Sequence, residues 1–161
     1  MKVITFAATK GGVGKTTLAY NFIEAMAHKG KKVLAIDLDY QCNLTSVFNA
    51  FDTEHNISNI FQVVPGEKKN VEIQSIKDNI GFIAGSGNME TIQAQIENNA
   101  NKNMFLFMWI ADNWETLNLS DYDYCVIDCH NDFSVATKNA IIVSDLVLSP
   151  IIPDRGSWES R

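Results

Sequence analysis

No stretch of this chain approaches the ~20 consecutive apolar residues that a membrane-spanning helix needs. The opening Met1-Lys2-Val3 runs straight into a strand-like segment and lacks the basic and then apolar regions of a secretory leader. A cytosolic chain with no membrane partner is therefore expected. The three cysteines form no Cys-x-x-Cys pair. Cys125 and Cys129 flank an apolar segment and Cys42 stands alone, so reduced, inert thiols are expected. His28, His55 and His130 lack metal-ligand spacing. Repeats and low-complexity tracts are missing too, which excludes solenoid and fibrous architectures. What remains is an ordinary globular composition, 46% hydrophobic and 20% charged over 161 residues. One domain of that size buries a core without disulfides or a structural metal.

Charge is unevenly spread. Residues 1–32 carry Lys2, Lys10, Lys15, Lys29, Lys31 and Lys32 against the single acid Glu24, while the whole chain has a net charge of −6. The rest is strongly acidic. A polyanion-binding face built from 1–32 alone would be small, so most of any DNA-binding surface would come from elsewhere.

Apolar periodicity gives alternating strands and helices. Strands are expected at 3–8, 33–36, 80–84, 124–128 and 146–148. Over 16–29, Leu18, Ala19, Phe22, Ile23, Met26 and Ala27 form one helical stripe, with Gly30 as the residue after the cap. Residues 43–64 read as an irregular helical region, and 65–70 as a surface turn. Further helices are expected at 88–98, 103–118 and 133–144. The most hydrophobic run, 104–110, continues to Trp114 and Leu117 at helical spacing, so a helix packed on the sheet is preferred to a membrane or partner surface. Such alternation implies an α/β fold, a mainly parallel sheet with right-handed crossovers and helices on both faces. Ligands bind such sheets at the carboxyl ends of the strands.

Three motifs fall at those ends. The first is Lys10-Gly11-Gly12-Val13-Gly14-Lys15-Thr16-Thr17, directly after the first strand. It satisfies the last three positions of the phosphate-loop pattern G-x-x-x-x-G-K-[ST], but has Thr9 where the first glycine belongs. Glycines let backbone N–H groups close around an anion, Lys15 can neutralise phosphate charge, and the Thr16 hydroxyl can ligate Mg²⁺. The second is the pair Asp37 and Asp39, which in an extended segment would point to one side. One could support Mg²⁺ while the other orients or deprotonates an attacking water. The third is Asp128, ending an apolar strand, where a carboxylate can hold Mg²⁺ through a water.

These residues resemble the ParA/MinD family of P-loop NTPases. Residues 10–17 match its deviant Walker A box, K-G-G-x-G-K-[ST]. Asp37-Leu38-Asp39-Tyr40-Gln41-Cys42-Asn43 is similar to its second box, D-x-D-P-Q-G-N, and 122–129 resembles its Walker B strand. Gln41 and Asn43 favour the ParA (Soj-like) branch over MinD. The resemblance spans the chain as a single P-loop ATPase domain, 1–161. It implies an ATP-sandwich homodimer in which Lys10 reaches the partner's nucleotide. Lys15 and Thr16 would hold phosphates and Mg²⁺, Asp37 and Asp128 would support the metal's waters, and Asp39 would position the hydrolytic water. It also implies slow ATPase activity stimulated by a centromere-binding partner, nonspecific DNA binding, and plasmid or chromosome partition.

The sequence departs from the family pattern in a few places. Tyr40 replaces the usual proline, Cys42 the usual glycine, and His130-Asn131 a common proline pair. Family members also continue beyond the fifth strand with segments for adenine contacts, dimerisation and DNA binding, so a piece of a longer chain is expected. Two alternatives follow: a nucleotide-gated DNA-binding regulator with little catalysis, and a MinD-like switch, which needs a C-terminal amphipathic helix.

Overall fold

The computed structural model describes residues 1–62 and 70–153. Residues 65–69 of the turn expected over 65–70 lie outside them, as do the final residues 154–161.

The chain alternates as the periodicity requires. β1 (Lys2–Phe6), β2 (Val33–Asp37), β4 (Ile80–Ile83), β5 (Tyr124–Asp128) and β6 (Leu146–Leu148) are parallel where they pair, and β3 (Gln74–Lys77) runs antiparallel to β4. The order across the sheet is β3-β4-β2-β5-β1-β6. Central strands β2 and β4 are buried along their whole length, which explains their unbroken apolar runs. At one edge β6 keeps Leu146, Val147 and Leu148 exposed.

Both faces of the sheet are covered. On one, Ala19 and Ile23 of α1 (Lys15–His28) and Leu44 and Phe48 of α2 (Asn43–Phe48) meet Ile4, Phe6, Val33, Ala35 and Phe82. On the other lie α3 (Ser58–Phe61), α4 (Met89–Gln95), α5 (Phe105–Asn113) and α6 (Val135–Val143), through residues such as Ile60, Met89, Leu106 and Ala140. Helix α1 ends in a Schellman arrangement. The Gly30 N–H donates to Ala27 O at 2.9 Å and the Lys31 N–H to Met26 O at 3.0 Å. Asn139, fully buried, pins α6 to the start of α5: its Oδ1 accepts from Leu106 N at 3.0 Å and its Nδ2 donates to Lys102 O at 2.7 Å.

Several expectations need correction. β3 was not expected; its Gln-Ser-Ile-Lys sequence is a short, half-exposed edge that periodicity barely marks. The region 43–64 splits into α2 and α3. Leu18 leaves the α1 stripe and is 47% exposed. The hydrophobic run over 104–110 does form a helix, but α5 packs chiefly against α3 and α6, with Phe107 and Met108 turned outward.

Candidate active site

The phosphate loop joins β1 to α1. Gly12 and Gly14 take φ of +73° and +89°, a left-handed backbone that L side chains rarely adopt. Val13, between them, is buried and anchors the loop. No described side chain caps the N-terminus of α1, whose first intrahelical bond runs from Leu18 N to Gly14 O at 2.9 Å. The N–H groups of the first turn are therefore left without side-chain caps at the positive end of the helix, a setting that suits an anion. Lys15 is buried at the start of the helix.

The carboxylates converge from two strands. Asp37 and Asp128 are register partners on neighbouring β2 and β5, and Phe6, the last residue of β1, pairs with Asp128 on its other side. Asp37 Oδ1 accepts from Asp39 N at 3.0 Å, and Oδ2 accepts from Thr45 N and Thr45 Oγ1, each at 2.8 Å. The same hydroxyl accepts from Gly85 N at 2.8 Å. Burial raises the Asp37 pKa to about 6 against the pull of these donors.

Asp128 is equally buried, yet neither carboxylate oxygen has a hydrogen-bond partner of ordinary geometry among the described residues. Burial lifts its pKa to about 7. The neighbouring Thr16 side chain holds that value down without completing a bond of normal length and angle; Asp37 and Asp39 push it up, and Lys15 lowers it.

β2 ends at Asp37, while Leu34, Ile36 and Leu38 share one core cluster and Val33 and Ala35 the other. The two carboxylates have separate partners. Asp39 Oδ1 accepts from Gln41 N at 2.8 Å and from His130 Nδ1 at 2.7 Å, and Oδ2 accepts from Asn43 Nδ2 at 3.3 Å. The His130 ring stacks on Tyr40, centroids 4.0 Å apart. Asn131 lies against the phosphate loop, its Nδ2 3.3 Å from the position a Cβ on Gly11 would occupy.

Sequence reasoning marked Tyr40 and His130-Asn131 only as departures and assigned no role to Thr45 or Gly85. Nothing in the spacing of these residues announces contacts made across loops. Lys10 is partly buried beside the glycines.

The thiols are inert, as expected: burial pushes Cys125 up to about 12 and Cys129 well above the ordinary range, and half-buried Cys42 to about 11. Although the sequence spacing gave no hint of it, His55 sits within ion-pair reach of Asp52 and Glu72, Nδ1 to carboxylate distances being 3.7 and 3.9 Å.

A family model described as an AAA domain matches residues 1–159. The chain belongs to that family, of the ParA/MinD type. Within this AAA family it is 30% identical over 158 residues to the virulence plasmid ParA family protein pGP5-D of Chlamydia trachomatis, covering 96% of this chain and 57% of that protein. It is 29% identical over 154 residues to the chromosome partitioning protein ParA of Caulobacter vibrioides, covering 94% and 56%. A solved plasmid partition protein of Borrelia burgdorferi, bound to AMPPNP, superposes with a TM-score of 0.82 at 30% identity, over 99% of this chain and 66% of that one. The chain thus spans little more than half the length of those two curated relatives. The fold is that of P-loop NTPases of the ParA type.

Proposed function

We propose that this chain is the nucleotide-binding and hydrolysing part of a ParA-like partition protein that acts as an ATP-sandwich dimer. The observation that carries the reading is the buried Asp128 carboxylate, unpartnered among the described residues, beside the Thr16 hydroxyl and Lys15 at the phosphate loop. A buried carboxyl in that setting is neutralised by a proton or balanced by a cation, and the Thr16 hydroxyl beside it favours a cation. The oxygen donors Thr16, Asp128 and Asp37 suit Mg²⁺, a hard ion that keeps part of its water shell. Held there, Mg²⁺ would supply charge to offset that which develops on the phosphates.

The chain's own groups supply the rest. The N–H groups of Gly11, Gly12, Val13, Gly14, Lys15, Thr16 and Thr17 cradle the phosphates of ATP or ADP, and Lys15 balances their charge. Lys10 reaches the nucleotide of the second subunit, in the manner of fingers that contribute on the order of 10³–10⁵ in rate. Asp37 and Asp128 orient the metal's waters, and Asp39 aims the attacking water. In the longer protein, a centromere-binding partner stimulates turnover and the ATP dimer binds DNA nonspecifically. The reading places the protein in the cytoplasm, on the nucleoid when bound to DNA. No helix among the described residues is long and apolar enough to cross a membrane. The partition names of the relatives and the AMPPNP in the Borrelia protein support this reading.

The test is phosphate release from ATP with and without Mg²⁺, in the wild-type chain and in Lys10→Ala and Asp39→Ala. Loss of turnover in both variants is expected; wild-type turnover in either sinks the assigned mechanism. A second reading, a nucleotide-gated regulator with little catalysis, is favoured by one observation: three donors already engage Asp39. ATP-dependent dimerisation with negligible phosphate release would select it.

A further inference from the structure

We propose that His130 is a positioning residue for Asp39, fixing the rotation of its carboxylate so that the oxygen it does not bond faces the attacking water. The inference rests on the hydrolytic reading above. A carboxylate offers acceptors, so the 2.7 Å contact places the proton on His130 Nδ1, donating to Asp39 Oδ1. That oxygen also accepts from Gln41 N at 2.8 Å. Two short donors fill the two acceptor directions of Oδ1. Oδ2 has one longer donor, Asn43 Nδ2 at 3.3 Å, and keeps capacity for a second. Oδ2 is therefore the oxygen available to a water.

The terminal torsion of an aspartate is soft and broad, and the His130 bond restrains the carboxylate against rotating away from that aim. His130 is in turn held by Tyr40, whose ring lies 4.0 Å away at 34°. Both side chains of this contact are largely enclosed, 15% and 9% exposed, where a hydrogen bond to a charged group is strong. The next residue, Asn131, contacts the phosphate loop at Gly11. His130 thus acts from a segment already registered on the phosphates, so the aim of Asp39 is referenced to the nucleotide.

The experiment compares the full chain with His130→Ala, His130→Asn and Tyr40→Ala, each checked for a wild-type melting profile. Turnover of Mg²⁺-ATP and affinity for a fluorescent ATP analogue are measured separately. Loss of aim predicts that kcat falls about tenfold to a hundredfold in His130→Ala, with ATP affinity within about twofold. His130→Asn, whose amide can donate in place of Nδ1, should recover most of the rate. A kcat within about twofold of wild type in His130→Ala, or an equal loss of ATP affinity, overturns the proposal. If the wild-type chain releases no phosphate, the hydrolytic reading fails. Imidazole NMR then decides the link between the two residues. A protected Nδ1 proton on His130 that disappears in Asp39→Ala supports it, and no such proton in the wild type overturns it.

Discussion

Asp37 and Asp128 face one another in register across β2 and β5, both buried, with pKa values raised to about 6 and about 7. In the unfolded chain both protons leave near the ordinary carboxyl value of 3.8. The folded state therefore binds more protons between about pH 4 and about pH 7, and its stability falls as pH rises through that window. The melting temperature of the magnesium-free protein should drop from about pH 5 to about pH 7. Asp128→Asn should flatten that slope. Asp52, Glu97, Asp123 and Asp145, whose values are lowered, act in the opposite sense and below the window. A melting temperature constant across the range would contradict the burial of the pair.

Ligand linkage provides a second check. Mg²⁺-ATP at a hundred times its dissociation constant should stabilise the folded chain by about 2.7 kcal/mol. Chelation of Mg²⁺ by EDTA should remove most of that gain, and Lys15→Ala should abolish it. Differential scanning fluorimetry reads both. An equal shift in Lys15→Ala would remove that lysine from the phosphate site.

The Thr45 hydroxyl joins three elements, donating to Asp37 Oδ2 and accepting from Gly85 N. Thr45→Val keeps the shape, strands Gly85 N and takes one of two donors from Asp37 Oδ2, at a cost of about 1–3 kcal/mol. Thr45→Ser should stay within about 1 kcal/mol. Urea unfolding compares them; a neutral Thr45→Val would show that water replaces the hydroxyl.

Cys42 has a φ of +53° at the start of α2. A side chain there carries left-handed strain of roughly 1–2 kcal/mol, offset in part by the extra freedom of an unfolded glycine. Cys42→Gly should therefore raise stability by about 0.5 kcal/mol, and the β-branched Cys42→Val should lower it by about 1 kcal/mol or more. Chemical denaturation of the two variants decides, and a destabilised Cys42→Gly would refute the strain.

The strands and the phosphate loop could be read because each depends on residues close in the chain. The apolar 33–36 run is a buried parallel strand, and Gly14-Lys15-Thr16 sits where β1 meets α1. β3 could not, since its Gln, Ser and Lys give an edge strand without a two-sided apolar signal. The same limit applied to the carboxylates. Asp37 and Asp39 look paired by alternation, but the register partner of Asp37 is Asp128, far along the chain. The contacts of Thr45 with Gly85 and of His130 with Asp39 span 40 and 91 positions. Such pairings are set by tertiary packing, on which local pattern is silent.

His130 and Asn131 are consecutive, yet one grips the loop after β2 and the other rests on the loop after β1. The consequence is for divergence among relatives. On the proposed reading, a dipeptide exchange at this point would be a small edit that retimes hydrolysis without replacing a residue of the phosphate loop.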